Sequence, residues 1–175
     1  MIFLAHYPLD INVPVLITQH MPPTFTTILA DRLNKNSAWE CREAKDGDEL
    51  RPGLALMAPG GFHMLIKKLD NKYIVEINDG PPENYCRPAV DPLFRSVTKA
   101  FGGAVLGVVL TGMGNDGTKG GKFIVDAGGT IVAQDEVTSV VWGMPGAVTA
   151  AGLCSKLVPR NGMANFITNF VTRFS

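Results

Sequence analysis

The sequence lacks several features that would assign it to a specialised class of proteins. Among its 175 residues, 16 basic side chains balance 16 acidic ones, so no net charge draws the chain to nucleic acid or to an anionic membrane. No apolar run approaches the roughly 18 residues of a membrane helix, and the first residues lack the basic segment of a signal peptide. We therefore expect a soluble, cytoplasmic protein without nucleic acid partners and without direct membrane insertion.

Cysteine is also scarce. Cys41, Cys86 and Cys154 lie far apart and form no Cys-x-x-Cys pair, which argues against a disulfide scaffold and against a four-ligand zinc site. We expect three buried, reduced thiols. Because no cluster of His, Cys and carboxylate residues has metal-ligand spacing, we expect no metal and no other cofactor.

The sequence does contain a regular alternation of apolar runs and helical patterns, and 46% of its residues are hydrophobic. Short apolar runs predict strands over residues 13–19, 39–44, 54–58, 104–111 and 129–134. Helical spacing predicts helices over residues 24–36, 91–101, 118–127, 145–152 and 161–174. This alternation predicts one α/β domain over residues 1–175, a three-layer, doubly wound, Rossmann-like fold with a mainly parallel sheet. Residues 64–68 and 73–77 predict an appended antiparallel hairpin.

The first residues suggest that a strand is missing. Ile2, Phe3, Leu4 and Leu9 look like the end of a helix that leads into the strand at residues 13–19. In a parallel sheet such a helix itself follows a strand, because the crossover unit is strand, helix, strand. The topology therefore predicts a domain that is truncated at its N-terminus.

Two predicted strands end in residues suited to acid–base chemistry. His20 follows the first strand, and Asp116 lies in the glycine-rich turn after the strand at residues 104–111. In open α/β sheets functional side chains gather at the carboxyl ends of the strands, where a carboxylate can orient a histidine and stabilise its imidazolium. The pair would be two thirds of a nucleophilic triad. The alternative is structural: His20 makes a local cap and Asp116 is the N-cap of the next helix.

The same turn allows a different function. Gly112, Gly114 and Gly117 fit the pattern G-x-G-x-x-G between a strand and a helix, as in dinucleotide-binding domains, and Asp135 lies near the position of a ribose-binding carboxylate. Against this, the charge of Asp116 inside the loop would oppose a bound pyrophosphate.

Six ordered motifs, taken together, are more specific than either pattern alone. They are ITQHMPP (residues 17–23), APG with a histidine at 63 (58–63), DGPP (79–82), RPAVD (87–91), TGMGNDG (111–117) and GMP (143–145). This series resembles the catalytic domain of the bacterial chemotaxis protein-glutamate methylesterase over nearly the whole chain. The resemblance implies a doubly wound α/β domain that hydrolyses glutamate methyl esters, and can deamidate glutamines, on methyl-accepting chemotaxis receptors.

The same resemblance implies roles for particular residues. His20 would be the general base, Asp116 its orienting carboxylate, and the backbone amide of Met113 an oxyanion donor. The family's serine nucleophile lies in an Ala-Ser-Thr-Gly-Gly turn after the first strand, and this sequence has no such turn, nor the family's response-regulator receiver domain. The resemblance thus predicts a methylesterase domain that lacks its first strand and its nucleophile and is inactive alone. The alternatives are a non-catalytic receptor-binding remnant and a dinucleotide-binding domain.

Three further residues are candidates for substrate binding. His63 follows a Pro-Gly-Gly turn, and either lines the site or bonds to backbone. Arg87 either steers an acidic receptor segment or pairs with Asp91 on the surface. Met144, like the side chain of Met113, either packs against the methylene stem of a substrate or fills the core.

Overall fold

The structure is a computed structural model that describes residues 13–173. Its strands are β1 (Val15–Ile17), β2 (Glu40–Glu43), β3 (Leu54–Met57), β4 (His63–Leu69), β5 (Lys72–Asn78), β6 (Leu106–Val109), β7 (Thr130–Gln134) and β8 (Cys154–Val158). Its helices are α1 (Phe25–Asn36), α2 (Val90–Phe101), α3 (Thr118–Asp126), α4 (Met144–Ala150) and α5 (Met163–Val171). A short 3-10 turn, Arg160–Gly162, leads into α5. The helix end expected at residues 2–9 lies outside the described residues.

The strands form two parallel sheets and one antiparallel hairpin. The first sheet has the order β1-β3-β2 and the second the order β6-β7-β8. Strands β4 and β5 pair antiparallel along their whole length, from His63 opposite Asn78 to Leu69 opposite Lys72. The predicted α/β class, with mostly parallel strands and an appended hairpin, is confirmed. Within residues 13–173, β1 and β6 each pair with one strand only.

The main error of the sequence prediction is strand β8, which was not expected. Its central residues are exposed and only Val158 is fully buried, so it has neither a continuous apolar run nor a strict alternation. Strand β8 lies at the edge of its sheet and is defined by its backbone pairing with β7. An edge strand has one neighbour and need not be buried, so its side chains need not follow an apolar pattern. The other predicted elements are present with ends shifted by a few residues.

Helix α2 is the element that fixes the position of the site. Leu93 and Val97 pack in a core cluster with β3 and the hairpin. Val90 and Phe94 pack in a second cluster with β6, β7 and α4. Because α2 is held on two sides by apolar contacts, its first turn is a rigid platform for the polar groups described below. No helix in the described part of the chain is both long enough and apolar enough to cross a membrane.

Candidate active site

His20 and Asp116 lie on two loops that follow parallel strands. His20 comes three residues after the end of β1, and Asp116 lies in the loop between β6 and α3. The two side chains meet, with His20 Nε2 2.7 Å from Asp116 Oδ2. The imidazole is 25% exposed, whereas the carboxylate is 1% exposed. The pair is therefore open to solvent on the histidine side and closed on the aspartate side.

The N-terminus of α2 holds the Asp116 carboxylate in place. The backbone N–H of Val90 donates to Oδ2 at 2.6 Å, and the N–H of Asp91 donates to Oδ1 at 3.0 Å. Burial raises the pKa of Asp116, but the hydrogen bonds from His20 and from these two amides outweigh it and leave the pKa below its ordinary value. Asp116 is thus a carboxylate that stays ionised beside the histidine.

Asp91 makes the reciprocal contacts with the first turn of α3. Its Oδ1 accepts the N–H of Gly117 at 3.0 Å and the N–H of Gly120 at 2.6 Å, and its side chain is fully buried. Each helix is therefore capped by the aspartate of the other, since the first N–H groups of a helix have no partner within it. The structural alternative for Asp116 was that it is the N-cap of the helix that follows it, α3. The N-cap of α3 is instead Gly117, at φ +92°.

Asn84 connects the two aspartates. Its side-chain amide donates to Asp91 Oδ2 and to Asp116 Oδ1, both at 2.9 Å. Sequence analysis missed this residue because a loop asparagine has no periodic signal. The available signal was the pair Asn84–Tyr85, since asparagine is favoured at positive φ in two-residue hairpin turns.

A cavity of about 380 Å³ opens beside the pair. The residues that line it are His20, Asn84, Tyr85, Cys86, Met113, Gly114, Asn115 and Asp116. A smaller depression of about 240 Å³ adjoins it, and its lining includes His20, Tyr85 and Arg87. A substrate in the larger cavity would contact the imidazole and the loop that carries Met113.

The orientation of His20 decides which nitrogen is available for chemistry. Asp116 holds Nε2, and Nδ1 makes no hydrogen bond within residues 13–173. In the serine protease triad the aspartate holds Nδ1 and Nε2 exchanges the proton with serine, so the two nitrogens have exchanged roles here. The geometry is suited to proton transfer at Nδ1 with stabilisation of the imidazolium through Nε2.

Comparison with known proteins identifies the family of the chain. The CheB methylesterase family model matches residues 1–167. The chain belongs to the CheB methylesterase family. The resemblance drawn from the six sequence motifs is thereby confirmed.

Individual relatives support the same assignment. The chain is 52% identical over 160 residues to a protein-glutamate methylesterase/protein-glutamine glutaminase of Paramagnetospirillum magneticum, covering 91% of this chain and 42% of that protein. It is 51% identical over 171 residues to the corresponding protein of Azospirillum brasilense, covering 97% of this chain and 43% of that one. The chain thus spans about two fifths of the length of these curated relatives.

A solved structure extends the match to three dimensions. The crystal structure of the CheB methylesterase catalytic domain of Thermotoga maritima superposes with a TM-score of 0.94 at 35% sequence identity. The match covers 97% of this chain and 89% of that chain. The fold around His20 and Asp116 is therefore the fold of a CheB catalytic domain.

The serines of the described residues lie away from the cavity of this CheB domain. Each hydroxyl donates to a backbone carbonyl elsewhere: Ser37 to Trp39, Ser96 to Leu93, Ser139 to Asp135 and Ser155 to Ile131. None of the four lines the cavity. Among residues 13–173, therefore, no serine hydroxyl lies in the cavity beside His20.

Cys86 lines the cavity and is the other nucleophilic side chain to consider. It is half-buried, as is Cys154, so the expectation of three buried thiols is correct only for Cys41. Burial, and then the negative charge of Asp116, raise the pKa of the Cys86 thiol above its ordinary value. Since the thiolate is the nucleophile, this position disfavours attack by Cys86.

The two methionines have different surroundings. Met113 is 82% exposed at the cavity, and its backbone N–H makes no hydrogen bond within the described residues, which leaves it available to an incoming oxygen. Met144 is buried in the core cluster of Val109 and Val148. A Cβ added at Gly112 would come within 2.6 Å of Met144 Sδ. Met144 therefore fills the core beneath the loop, the alternative considered for it, and does not line the cavity.

His63 and Arg87 are held by backbone groups. His63 is 3% exposed; its Nε2 bonds the carbonyl of Pro81 at 3.0 Å and its Nδ1 accepts the N–H of Ala89 at 3.2 Å. Arg87 donates to the carbonyls of Asp79 and Gly80 at 2.8 and 3.0 Å and borders the smaller depression. The expected alternative, a surface pair of Arg87 with Asp91, is wrong because Asp91 is fully buried.

The amides at the start of α3 are not free to bind a nucleotide. The N–H groups of Gly117 and Gly120, which would bind phosphate in a dinucleotide site, donate to Asp91, and Gly117 also donates to Asp116. The side chain of Asp135 is engaged with Thr138. Within residues 13–173, no group of three or more His, Cys, Asp and Glu residues has an arrangement that could hold a metal ion.

Proposed function

We propose that this chain supplies the histidine, the carboxylate and the oxyanion donor of a single catalytic domain that, together with a serine nucleophile, hydrolyses glutamate methyl esters, and deamidates glutamines, on methyl-accepting chemotaxis receptors in the cytoplasm. The observation that carries the proposal is the 2.7 Å contact between His20 and the ionised Asp116 beside a cavity whose loop presents the Met113 amide. The names of the relatives support the reaction class. In the full protein we expect a response-regulator receiver domain as a further partner of this domain.

The chemistry follows from these positions. A serine hydroxyl from outside residues 13–173 attacks the ester carbonyl while His20 Nδ1 accepts its proton. Asp116 stabilises the resulting imidazolium through Nε2, and the Met113 N–H donates to the oxyanion. The imidazolium then gives the proton to the leaving methoxide, and methanol departs. Water hydrolyses the acyl-enzyme by the same route, and for a glutamine substrate the leaving group is ammonia.

Two alternatives remain outcomes of the test. A non-catalytic receptor-binding domain is favoured because no described serine lines the cavity. A dinucleotide-binding domain is disfavoured because the amides of Gly117 and Gly120, which would bind the phosphates, already donate to Asp91.

The test measures methanol release from a methylated receptor fragment. We expect no useful release by residues 1–175, because loss of the nucleophile alone cost about a million-fold in turnover in a serine protease. A longer polypeptide that adds the family's strand and Ala-Ser-Thr-Gly-Gly turn should release methanol, and His20→Gln should abolish this whereas Cys86→Ala should not.

Other outcomes would decide between the alternatives. Equal rates for the short and long polypeptides would mean that one of the five serines in this sequence is the nucleophile. Receptor binding without hydrolysis by the long polypeptide would favour the non-catalytic domain. Micromolar affinity for NAD in a calorimetric titration would favour the dinucleotide domain.

A further inference from the structure

Tyr85 has a conformation that an aromatic residue seldom adopts. Its φ is +63°, in the left-handed region where a side chain with a Cβ is strained, and its neighbour Asn84 has φ +50°. Its side chain is 104% exposed, as open as in an isolated peptide. The ring therefore contributes no burial that would offset the backbone strain.

The turn around Tyr85 is firmly supported. Glu83 and Cys86 exchange two backbone hydrogen bonds, of 3.1 and 2.8 Å, so Asn84 and Tyr85 are the central residues of a two-residue hairpin turn with positive φ at both. Glu83 also forms an ion pair with Arg95 of α2, with Arg95 Nη1 3.0 Å from Glu83 Oε2. The hydrogen bonds and the ion pair of Glu83 thus hold Tyr85 in its strained backbone conformation. Strain that the surrounding structure maintains in this way is typical of functional sites.

The ring stands beside the groups that would react. Tyr85 lines both the 380 Å³ cavity and the adjoining depression, and His20 lines both as well. Met113, on the other loop of the larger cavity, is the second exposed apolar side chain there. A substrate that fills the larger cavity and reaches the Met113 amide would therefore meet two exposed side chains with apolar surface, those of Tyr85 and Met113.

We propose that Tyr85 is a substrate-contact residue: its ring, with the side chain of Met113, holds the apolar flank of a helical protein segment that carries the reactive glutamyl group. This inference rests on the proposed function. Beyond the proposed function, the inference states where affinity for the protein substrate arises: from an exposed aromatic side chain at the mouth of the cavity rather than from a charged patch.

The test compares Tyr85→Asn, Tyr85→Phe and Leu69→Asn in the complete 175-residue chain. Asparagine tolerates positive φ but has no ring, phenylalanine keeps the ring, and Leu69 is an exposed apolar residue on the hairpin that does not line the cavity. The two measurements are calorimetric binding of a helical receptor fragment with methyl-esterified glutamates, and the thermal midpoint of unfolding.

For Tyr85→Asn we expect affinity about tenfold weaker, as for truncation of an interface aromatic, and a midpoint about 2–4 °C higher because strain is relieved. Tyr85→Phe and Leu69→Asn should bind within about twofold of wild type. A residue with a merely structural role would not give weaker binding together with higher stability.

Wild-type affinity in Tyr85→Asn, a lowered midpoint in that variant, or no binding by the wild-type chain would each overturn the inference. The proposed function is judged separately, by methanol release in the longer polypeptide and its loss in His20→Gln. If Tyr85→Asn weakens binding but the long polypeptide releases no methanol, the contact stands and the esterase proposal fails.

Discussion

The buried aspartates Asp91 and Asp116 share a residue type, nearly complete burial and a capping role, but only Asp116 contacts a histidine. Each accepts backbone N–H groups from the first turn of the other's helix. Each also accepts the amide of Asn84. Only Asp116 has an oxygen that reaches His20 and, through it, the cavity.

The comparison separates stability from catalysis. Capping alone is enough to account for a buried carboxylate, because unpaired N–H groups at a helix start need an acceptor. The burial of Asp91 is explained in full by this role. We infer that the catalytic contribution of Asp116 comes from its contact with the histidine, and the predictions below are arranged to separate the two contributions.

The largest effect is expected for Asp116→Asn. In a serine protease the equivalent change lowers kcat about 10⁴-fold because the histidine takes the wrong tautomer. Methanol release by the longer polypeptide that includes the serine turn measures this. The control is Asp91→Asn, whose kcat should stay within about tenfold of wild type. Similar losses in both variants would mean that the two aspartates act as one catalytic unit.

The next effect is on stability. Asp91→Ala removes the side-chain acceptor of the Gly120 N–H and one of the two acceptors of the Gly117 N–H and of the Asn84 amide. It should lower the free energy of unfolding by about 2–4 kcal/mol. Urea unfolding measures it. The control is Asp126→Ala, which removes an exposed carboxylate paired with Lys122 on α3 and should cost less than about 0.5 kcal/mol. Equal losses would contradict the capping role.

A smaller loss is expected for Asn84→Ala, about 1–2 kcal/mol, because one donor is removed from two buried carboxylates. Combined with Asp91→Ala, it should cost less than the sum of the single changes, by roughly 1 kcal/mol. Asn78→Ala, which frees Gly80 N–H in the same segment but does not reach the aspartates, should add fully to Asp91→Ala. Full additivity for Asn84 would show that it does not act through Asp91.

The smallest expected effect is a change in the free energy of unfolding with pH. The pKa of Asp116 is lower in the folded chain than its ordinary value near 3.8, so its ionisation stabilises the fold above that value. This contribution is lost as the pH falls through the folded pKa. Urea unfolding between pH 7 and pH 3 should therefore show the stability difference between wild type and Asp116→Asn shrinking on acidification. A difference that grew toward low pH would reverse the assigned direction of the pKa shift.

Much of this molecule could be predicted from residue patterns. Continuous apolar runs such as that ending at Val109 predict buried parallel strands, and the positions of His20 and Asp116 after two strands predict that they share one edge. Strand β8 could not be predicted, because it is defined by its backbone hydrogen bonds to β7 and its mostly exposed side chains show no apolar pattern. Nor could the placement of His63, because a loop histidine gives no local sign of which backbone groups surround it.

The order of the elements other than β8, the family and the identity of the histidine–aspartate pair were thus determined by the sequence itself, because apolar spacing and motif order are properties of the chain. Tertiary structure alone decided which nitrogen of His20 faces Asp116, that Asp91 is buried rather than paired with Arg87, and that Asn84 joins the two aspartates. The contacts of His20 and of Asn84 with Asp116 depend on distances between loops that lie 96 and 32 residues apart along the chain. No local pattern specifies such distances, because they are set by how helix α2 packs against both halves of the core.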